Sequence, residues 1–216
     1  MAKLRVHCLS VSTDGFAAGP DQSLEQPLGA RGEELHEWIF RTPGGLEMIG
    51  QDASGAVAGV DDRFFREGFD GIGATVMGRN MFGPVRGDWG DSDWRGWWGD
   101  EPPYHHPVFV LTHHAHDAIE MEGGTTFHFV TDGIESALRE AVAAAGSQDV
   151  RLGGGASVVR QYLRAGLVDR LHVAMVPVLL GSGERLLDDL GGAVDLYSVS
   201  EVVVGEGATH LRITRR

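Results

Sequence analysis

The sequence predicts an α/β fold in which a mostly parallel sheet carries an antiparallel edge. Strand-like segments alternate with segments of helical periodicity through most of the 216 residues, and parallel strands need such helical crossovers. The last stretch, 195–216, reads as two strands about the turn Gly205-Glu206-Gly207 and predicts an antiparallel hairpin. No repeat or linker interrupts the pattern, so we expect a single domain over residues 1–216.

The individual elements follow from the spacing of apolar residues. Runs rich in Val, Leu and Phe predict strands over 4–15, 74–79, 108–112, 126–131, 150–152 and 171–180. Apolar residues at helical spacing predict helices over 32–41, 60–69, 133–145 and 156–165. We expect Pro43 to stop the first helix, and Asp132 with Glu135 to form a capping box before the third. The intervening stretches 17–32, 43–59 and 83–107 are predicted to be long loops.

Composition limits the kinds of partner. The formal net charge is −13, which disfavours nucleic acid because phosphates repel an acidic chain. The chain has one cysteine, Cys8, so a disulfide framework and a cysteine-rich zinc site are excluded. No apolar run approaches the length of a membrane span, and no signal peptide is evident. We therefore expect a cytoplasmic protein with no membrane partner.

The most suggestive short motif is RLGGGASVVRQYL, residues 151–163, in which a strand runs through three glycines into a helix. A helix N-terminus offers free N–H groups to an anion, and glycine lets a ligand approach the backbone closely. The motif is not a P-loop, and Val158 stands where the dinucleotide fingerprint requires a third glycine. Phosphate binding and tight packing both remain open for these glycines.

Two other predicted strands end in residues of similar character. Gly78-Arg79 follows one of them, and Arg79 offers paired donors to a phosphate. Thr112-His113 follows the next and offers further hydrogen bonds. Because ligands of open α/β sheets lie beyond the carboxyl ends of the strands, these residues predict one ligand lying across the sheet edge.

Taken together, the segments resemble the dihydrofolate reductase-like superfamily. The resemblance rests on STDGFAAG (12–19), VMGRNMFG (76–83), VFVLTHH (108–114), LGGGASVVRQYL (152–163) and LVDRLHVAMVPVLLGSGERLL (167–187), in this order. It is strongest to the reductase domain of the riboflavin-pathway deaminase–reductases and its stand-alone relatives. The resemblance implies a three-layer dihydrofolate reductase-like sandwich and an NADPH-dependent reductase. The zinc-binding deaminase half has no counterpart in the sequence.

The resemblance also implies roles for particular residues. Cofactor phosphates would meet Gly78, Arg79 and Asn80, and the pyrophosphate would lie on Gly153, Gly154, Gly155, Ala156 and Ser157. The adenosine ribose and its 2′-phosphate would lie near Thr112 and His113, and the nicotinamide near Ala17 and Ala18. Asp14 would lie on the substrate side. The family's acidic substrate contact would fall among Glu33, Glu34 and Glu37 of the first predicted helix, and Glu34 is the candidate one turn before Trp38, on a side that could face a pocket. Asp14, Glu34 or water is then the expected source of the proton.

The function expected from the sequence is hydride transfer from NADPH to a small heterocycle such as a pterin or pyrimidine. The alternatives are the riboflavin-pathway 5-amino-6-(5-phosphoribosylamino)uracil reductase and a non-catalytic NADP(H)-binding protein. A homodimer is expected from the resemblance alone.

Two further clusters lie in or beside the loop 83–107. Histidines at 105, 106, 113, 114 and 116 raise a metal-dependent alternative, but their spacing matches no metal motif and we expect no metal. Four tryptophans, Trp89, Trp94, Trp97 and Trp98, lie within ten residues. Because exposing so much aromatic surface is unfavourable, we expect them to form a lid or a subunit contact.

Overall fold

A nine-stranded sheet organises the chain, of which the computed structural model describes residues 2–83, 87–90 and 93–216. The strands of this sheet lie in the order β10-β11-β8-β1-β7-β3-β4-β6-β5, and β2 pairs with β9 in a separate two-stranded ribbon. In chain order they are β1 (Leu4–Ser12), β2 (Phe16–Ala18), β3 (Ile72–Gly78), β4 (Pro107–Leu111), β5 (Ile119–Glu120), β6 (Thr126–Val130), β7 (Asp149–Gly154), β8 (Arg170–Val176), β9 (Glu184–Arg185), β10 (Tyr197–Val204) and β11 (Thr209–Arg215).

The centre of the sheet is parallel, and its edges are antiparallel. The six strands from β8 to β6 in the spatial order pair in parallel. At one edge β11 pairs antiparallel with both β8 and β10, and at the other β5 pairs antiparallel with β6. The predicted mixed, mostly parallel sheet with a C-terminal antiparallel hairpin is therefore confirmed.

Helices cover both faces of the sheet and make three layers. They are α1 (Pro43–Met48), α2 (Val60–Glu67), α3 (Arg79–Phe82), α4 (Ile134–Ala145) and α5 (Ala156–Arg164). On one face, α4 and α5 bury Ala141 and Leu163 in a core with Val76. On the other face, α2 and the segment before it bury Phe65 and Trp38. No helix among the described residues is long and apolar enough to cross a bilayer.

Several local predictions around the first helices are wrong. The predicted helix over 32–41 is two short 3-10 turns, Gly32–His36 and Ile39–Arg41. Thr42 is extended, as the residue before a proline prefers, and Pro43 begins α1 within a stretch predicted to be loop. The Thr42 hydroxyl caps this helix by accepting a hydrogen bond from Gly45 N at 3.0 Å. Pro43 was predicted to stop a helix, but it occupies the first position of α1.

Other differences concern element ends. The predicted capping box at Asp132 does not form, because Gly133, with a φ of 88°, is the N-cap of α4 and no side chain caps it. The strand expected over 171–180 ends at Val176. The loop expected over 17–32 overlaps β2, whose three residues are too few to show a periodicity.

The tryptophan segment covers the sheet. The prediction of a loop over 83–107 falls partly on residues 84–86 and 91–92, which lie outside the described residues. Trp89, Trp94 and Trp98 pack against a core formed by Met77, Phe82, Val110 and Phe127. These rings therefore cover the face of β3, β4 and β6, and this packing buries part of their own apolar surface.

Candidate active site at the carboxyl edge of the sheet

The structure brings the predicted phosphate-binding segments together at the carboxyl ends of β7, β3 and β4. Met77 pairs with Gly154, and Gly78 pairs with Leu111, the residue before Thr112. A β-carbon placed on Gly78 would lie 3.6 Å from both Gly154 O and Gly155 N. The two glycine turns therefore touch, although 75 residues separate them in the chain.

The three consecutive glycines have different environments. A β-carbon on Gly153 would lie 3.1 Å from Met81 Cε, so this glycine permits close packing. Gly154 has a φ of +135°, which L-residues rarely adopt. A β-carbon on Gly155 would meet no atom within 4 Å. Packing and conformation therefore account for the first two glycines, while the third leaves open space directly in front of α5.

The start of α5 is suited to an anion. Gly155 is its N-cap, no side chain caps the helix, and its first turn holds no acidic residue. The first N–H groups of a helix have no acceptor within it, and they carry a partial positive charge. Ala156 is buried, whereas Ser157 is exposed beside these donors. The predicted pyrophosphate residues therefore form a bare helix terminus facing open space.

Arg79 is fixed beside this terminus. Its Nη1 donates a hydrogen bond of 3.3 Å to Thr112 Oγ1, and its guanidinium lies 3.5 Å from the centre of the Trp89 ring. The Trp89 indole in turn donates to His114 O at 2.8 Å. Asn80 and His113, which follow Arg79 and Thr112 in the chain, are exposed. The predicted cation and its predicted hydroxyl companion are thus in direct contact.

Asp14 is engaged by the chain segment that follows β8. Its carboxylate accepts hydrogen bonds from Ser12 Oγ at 2.6 Å, Gly181 N at 2.7 Å and Leu180 N at 3.1 Å. These donors lower the pKa of Asp14 to about 2, with the Ser12 hydroxyl contributing most. Asp14 therefore carries no proton near neutral pH, which favours a positioning role over that of a proton donor.

Glu34 is held in a similar way. Both of its oxygens accept hydrogen bonds from Arg31, at 2.7 and 2.9 Å, and this contact lowers the pKa of Glu34. Arg31 also donates to Leu179 O at 2.9 Å. Asp14 and Glu34 are thus both connected to residues 179–181, and both are ionised at neutral pH.

Ala17 and Ala18 lie on β2, whose first residue, Phe16, lines a cleft. The cleft has a volume of about 590 Å³ and lies between Phe16 and Arg185 on one side and Ser157, Arg160 and Gln161 of α5 on the other. Ala18 is buried opposite Glu184 in the β2–β9 ribbon. Of the predicted cofactor residues, only Ser157 lines this cleft, and Ala17 and Ala18 follow the lining residue Phe16.

The histidines of residues 105–116 make separate contacts with other protein groups. His105 Nδ1 lies 2.8 Å from Gly123 O, His106 Nε2 lies 2.8 Å from Thr75 Oγ1, and His114 Nδ1 lies 2.6 Å from Asp88 Oδ1. Among the described residues, the one group of three side chains close enough to share an ion is His7, Cys8 and His172. The metal-dependent alternative therefore has no support in the segment that suggested it.

That buried group belongs to a hydrogen-bonded chain that the sequence did not reveal. Cys8 N donates to His172 Nδ1 at 3.1 Å, so His172 carries its proton on Nε2 and donates to His210 Nδ1 at 3.0 Å. His210 therefore donates from Nε2 to Asp61 Oδ1, at 2.7 Å. Both nitrogens of His172 are occupied and unavailable to a metal. Burial lowers the pKa of His172 to about 2 and also lowers that of His210.

Similarity to known proteins identifies the family. The model of the RibD C-terminal domain matches residues 6–209. The chain belongs to the RibD C-terminal domain family. A sequence match to the Bacillus subtilis (strain 168) protein YyaP has 31% identity over 64 residues, and it spans 30% of this chain and 34% of that protein.

Solved structures share the fold over the whole chain. A Shewanella sp. PV-4 structure assigned to riboflavin biosynthesis has 20% identity and a TM-score of 0.63, with coverage of 100% of this chain and 99% of its own. The Thermotoga maritima deaminase/5-amino-6-(5-phosphoribosylamino)uracil reductase has 13% identity and a TM-score of 0.56, and is covered over 57% of its length. Enterococcus faecalis dihydrofolate reductase, solved with NADP(H), has 16% identity and a TM-score of 0.53, with coverage of 99% and 96%. The RibD-family member therefore has the predicted dihydrofolate reductase-like fold.

Proposed function

We propose that this RibD-family protein is an NADPH-dependent reductase that transfers a hydride to a small heterocycle such as a pterin or a pyrimidine. The observation that carries the proposal is the open space at Gly155, in front of the uncapped N-terminus of α5 and beside the Gly78 turn. A dinucleotide pyrophosphate needs such a combination of free N–H donors and bare backbone. Membership of the RibD C-terminal domain family and the fold shared with an NADP(H)-bound reductase support the same cofactor.

The residues of this edge have distinct roles in the proposal. Gly155, Ala156 and Ser157 hold the pyrophosphate through backbone and hydroxyl donors. Arg79, oriented by Thr112, supplies the positive charge for the 2′-phosphate, with Asn80 and His113 at the rim. Ala17 and Ala18 on β2 border the nicotinamide, where small side chains leave room for a ring. Gly78, Gly153 and Gly154 keep the strand ends close enough for one ligand to span them.

The chemistry requires a hydride, a proton and an ordered substrate. The reduced nicotinamide supplies the hydride when it is bound, and the protein supplies position and electrostatics. Asp14 and Glu34 are both held as carboxylates, so we assign the proton to water and give these two residues positioning roles at the substrate side. The anionic Asp14 fixes residues 180 and 181 against the end of β1.

Titration with NADPH and with NADH tests the proposal. Trp89 lies on Arg79, so its fluorescence reports a ligand at this edge. We expect NADPH to bind more tightly than NADH, because Arg79 pairs with the extra phosphate. Equal affinities would contradict the assignment of Arg79. Binding of NADPH without its oxidation across a panel of pterins and pyrimidines would favour a non-catalytic NADP(H)-binding protein.

A second candidate function is the 5-amino-6-(5-phosphoribosylamino)uracil reductase step of riboflavin synthesis. Membership of the RibD C-terminal domain family favours it, as does the cluster of Arg160, Arg164 and Arg185 around the cleft beside α5, because this substrate carries a ribose phosphate. Turnover of the deaminated pathway intermediate with NADPH would establish it, and oxidation of NADPH only with non-phosphorylated rings would exclude it. In either case we expect a homodimer in the cytoplasm.

A further inference from the structure

Three arginines lie side by side on one face of the sheet, in the amino-terminal halves of β1, β7 and β8. Arg5 pairs in register with Arg170 of β8 and with Arg151 of β7, so the three side chains leave adjacent strands on the same face. Like charges placed directly opposite one another on neighbouring strands are unfavourable. In a chain with a net charge of −13, such a row needs an explanation.

The row is incompletely neutralised by the residues that the structure describes. Arg5 has a carboxylate partner, Asp149, at 3.1 Å. Arg151 makes neither an ion pair nor a hydrogen bond with any described residue, and its Nε is buried without a partner. Its guanidinium lies 4.6 Å from the centre of the Phe69 ring, so its orientation is fixed by an aromatic contact. Arg151 is thus a half-buried, oriented cation that lacks an anion.

Arg151 lines a cavity of about 420 Å³ at the amino ends of β3, β4 and β7. About half of its lining surface is apolar, and Phe69, Ile72, Pro103 and Tyr104 are among the residues that form it. Gln148 adds an exposed amide at the rim, and His106 also lines the cavity, with its Nε2 2.8 Å from Thr75 Oγ1. This volume lies in the range of small-molecule pockets, in which a few polar groups orient a ligand that apolar walls enclose.

The cavity shares no lining residue with the proposed reductase site, although Arg151 lies two residues before Gly153 on β7. Strand β3 runs from Ile72 at the cavity to Gly78 at the carboxyl edge, a span of about 20 Å at ~3.3 Å per residue. The cleft beside α5 also differs in its charges. Its three arginines each have an acidic neighbour, with Arg160–Glu184 at 3.6 Å, Arg164–Asp189 at 3.9 Å and Arg185–Asp188 at 4.0 Å.

We propose that the cavity beside Arg151 is a second binding site, for a small aromatic carboxylate. The planar guanidinium fork matches the planar carboxylate, and Arg151, which lines the cavity without an ion-pair partner among the described residues, can balance its negative charge. Phe69 and Tyr104 provide aromatic surfaces for the ring of the ligand. The proposal goes beyond the reductase function and does not depend on it, because no residue assigned to the cofactor lines this cavity.

Calorimetric titration of the full-length protein with benzoate, benzamide and inorganic phosphate tests this site. We expect benzoate to bind, and benzamide and phosphate to bind at least tenfold more weakly, because one lacks the charge and the other the ring. Arg151→Gln should weaken benzoate binding at least tenfold. Arg63→Gln is the matched control, because Arg63 also lies over a phenylalanine but is paired with Glu67 at 3.3 Å, and it should leave benzoate binding unchanged.

A second variant keeps the test valid if Arg151→Gln fails to fold. Gln148 is exposed at the rim of the cavity, so Gln148→Trp should block the cavity, abolish benzoate binding and leave Arg151 intact. Saturating NADPH should not change the affinity for benzoate. The proposal is overturned if benzoate does not bind at millimolar concentration, if Arg151→Gln binds it as wild type does, if phosphate binds more tightly, or if NADPH displaces it.

Discussion

The buried histidine chain and the carboxyl edge of the sheet use polar groups in opposite ways. In the chain from Cys8 N through His172 and His210 to Asp61, each donor has an acceptor inside the protein. At the edge, the first turn of α5 has no side-chain cap, and space lies open beside Gly155. Groups that the fold satisfies contribute to stability, whereas groups it leaves open are available to a ligand. The two regions should therefore respond differently to substitution.

The largest effect is expected from removing an acceptor from the buried histidine chain. Asp61 is buried and accepts hydrogen bonds from His210 Nε2 and Gly207 N, both at 2.7 Å. Asp61→Ala leaves both donors unsatisfied, and we expect it to lower the free energy of unfolding by about 3 kcal/mol. Urea denaturation measures this, with the exposed Asp132→Ala as the control. A loss no greater than the control's would show that the chain of hydrogen bonds does not stabilise the fold.

Removing the charge of Arg79 at the carboxyl edge should affect cofactor binding more than folding. We expect Arg79→Ala to weaken NADPH binding about tenfold, or ~1.4 kcal/mol, and NADH binding much less. The reason is that only NADPH carries the phosphate that the guanidinium would pair with. Fluorescence titration of both cofactors checks this. If the variant binds both as wild type does, Arg79 serves only to hold Trp89 and Thr112.

Asp14 lies at the carboxyl edge of the sheet, but its carboxylate accepts hydrogen bonds from the protein, as Asp61 does in the buried histidine chain. Its pKa in the folded state is about 2, below its ordinary value of 3.8. Its ionised form therefore contributes stability that is fully present above pH ~4 and is lost as the pH falls towards 2. We expect Asp14→Asn to flatten this part of the curve of Tm against pH. Parallel curves for variant and wild type would contradict the hydrogen-bonded anion.

The smallest effect is expected at Glu34. It is half exposed, and exposed ion pairs such as its contact with Arg31 contribute little to stability. Because this contact keeps Glu34 ionised, we expect Glu34→Gln to leave the Tm unchanged and to lower kcat less than about threefold, far below the 10²–10⁴-fold typical of a lost general acid. A hundredfold loss of kcat with an altered pH profile would instead make Glu34 the proton donor.

Features set by local sequence were predictable, and features set by distant contacts were not. Apolar periodicity located α4 and α5 within one or two residues. The strand ends at Gly78 and Thr112 were placed at one edge because the carboxyl ends of parallel strands lie at the same edge of a sheet. The spacing of Leu35 and Trp38 predicted their burial correctly, but an interval of three residues suits a 3-10 turn as well as an α-helix, and 3-10 turns are what the segment forms. The strand pair β2–β9 is too short to leave a pattern.

The histidine chain shows why part of the molecule stayed hidden. His172 and His210 each lie alone in a strand pattern, whereas Asp61 lies in a helix 149 residues before His210. One signal was present, because His172 is a polar residue inside the apolar run of β8, in which Leu171 to Ala174 are all buried. Its partners depend on the antiparallel pairing of β11 with β8, which no local pattern specifies. The histidine-rich segment 105–116 was conspicuous in sequence but forms no such chain.

The most direct test of the central claim is the affinity of Gly155→Ala for NADPH. A β-carbon there meets no protein atom, and the φ of −77° is one that alanine adopts readily. Gly192→Ala is the matched control, since a β-carbon on Gly192 also meets nothing and its φ is not positive. We predict that the free energy of unfolding of both variants stays within about 0.5 kcal/mol of the wild-type value. We also predict that Gly155→Ala weakens NADPH binding tenfold or more, whereas Gly192→Ala leaves it unchanged. Unchanged NADPH affinity in Gly155→Ala would contradict the assignment of this glycine edge to the cofactor.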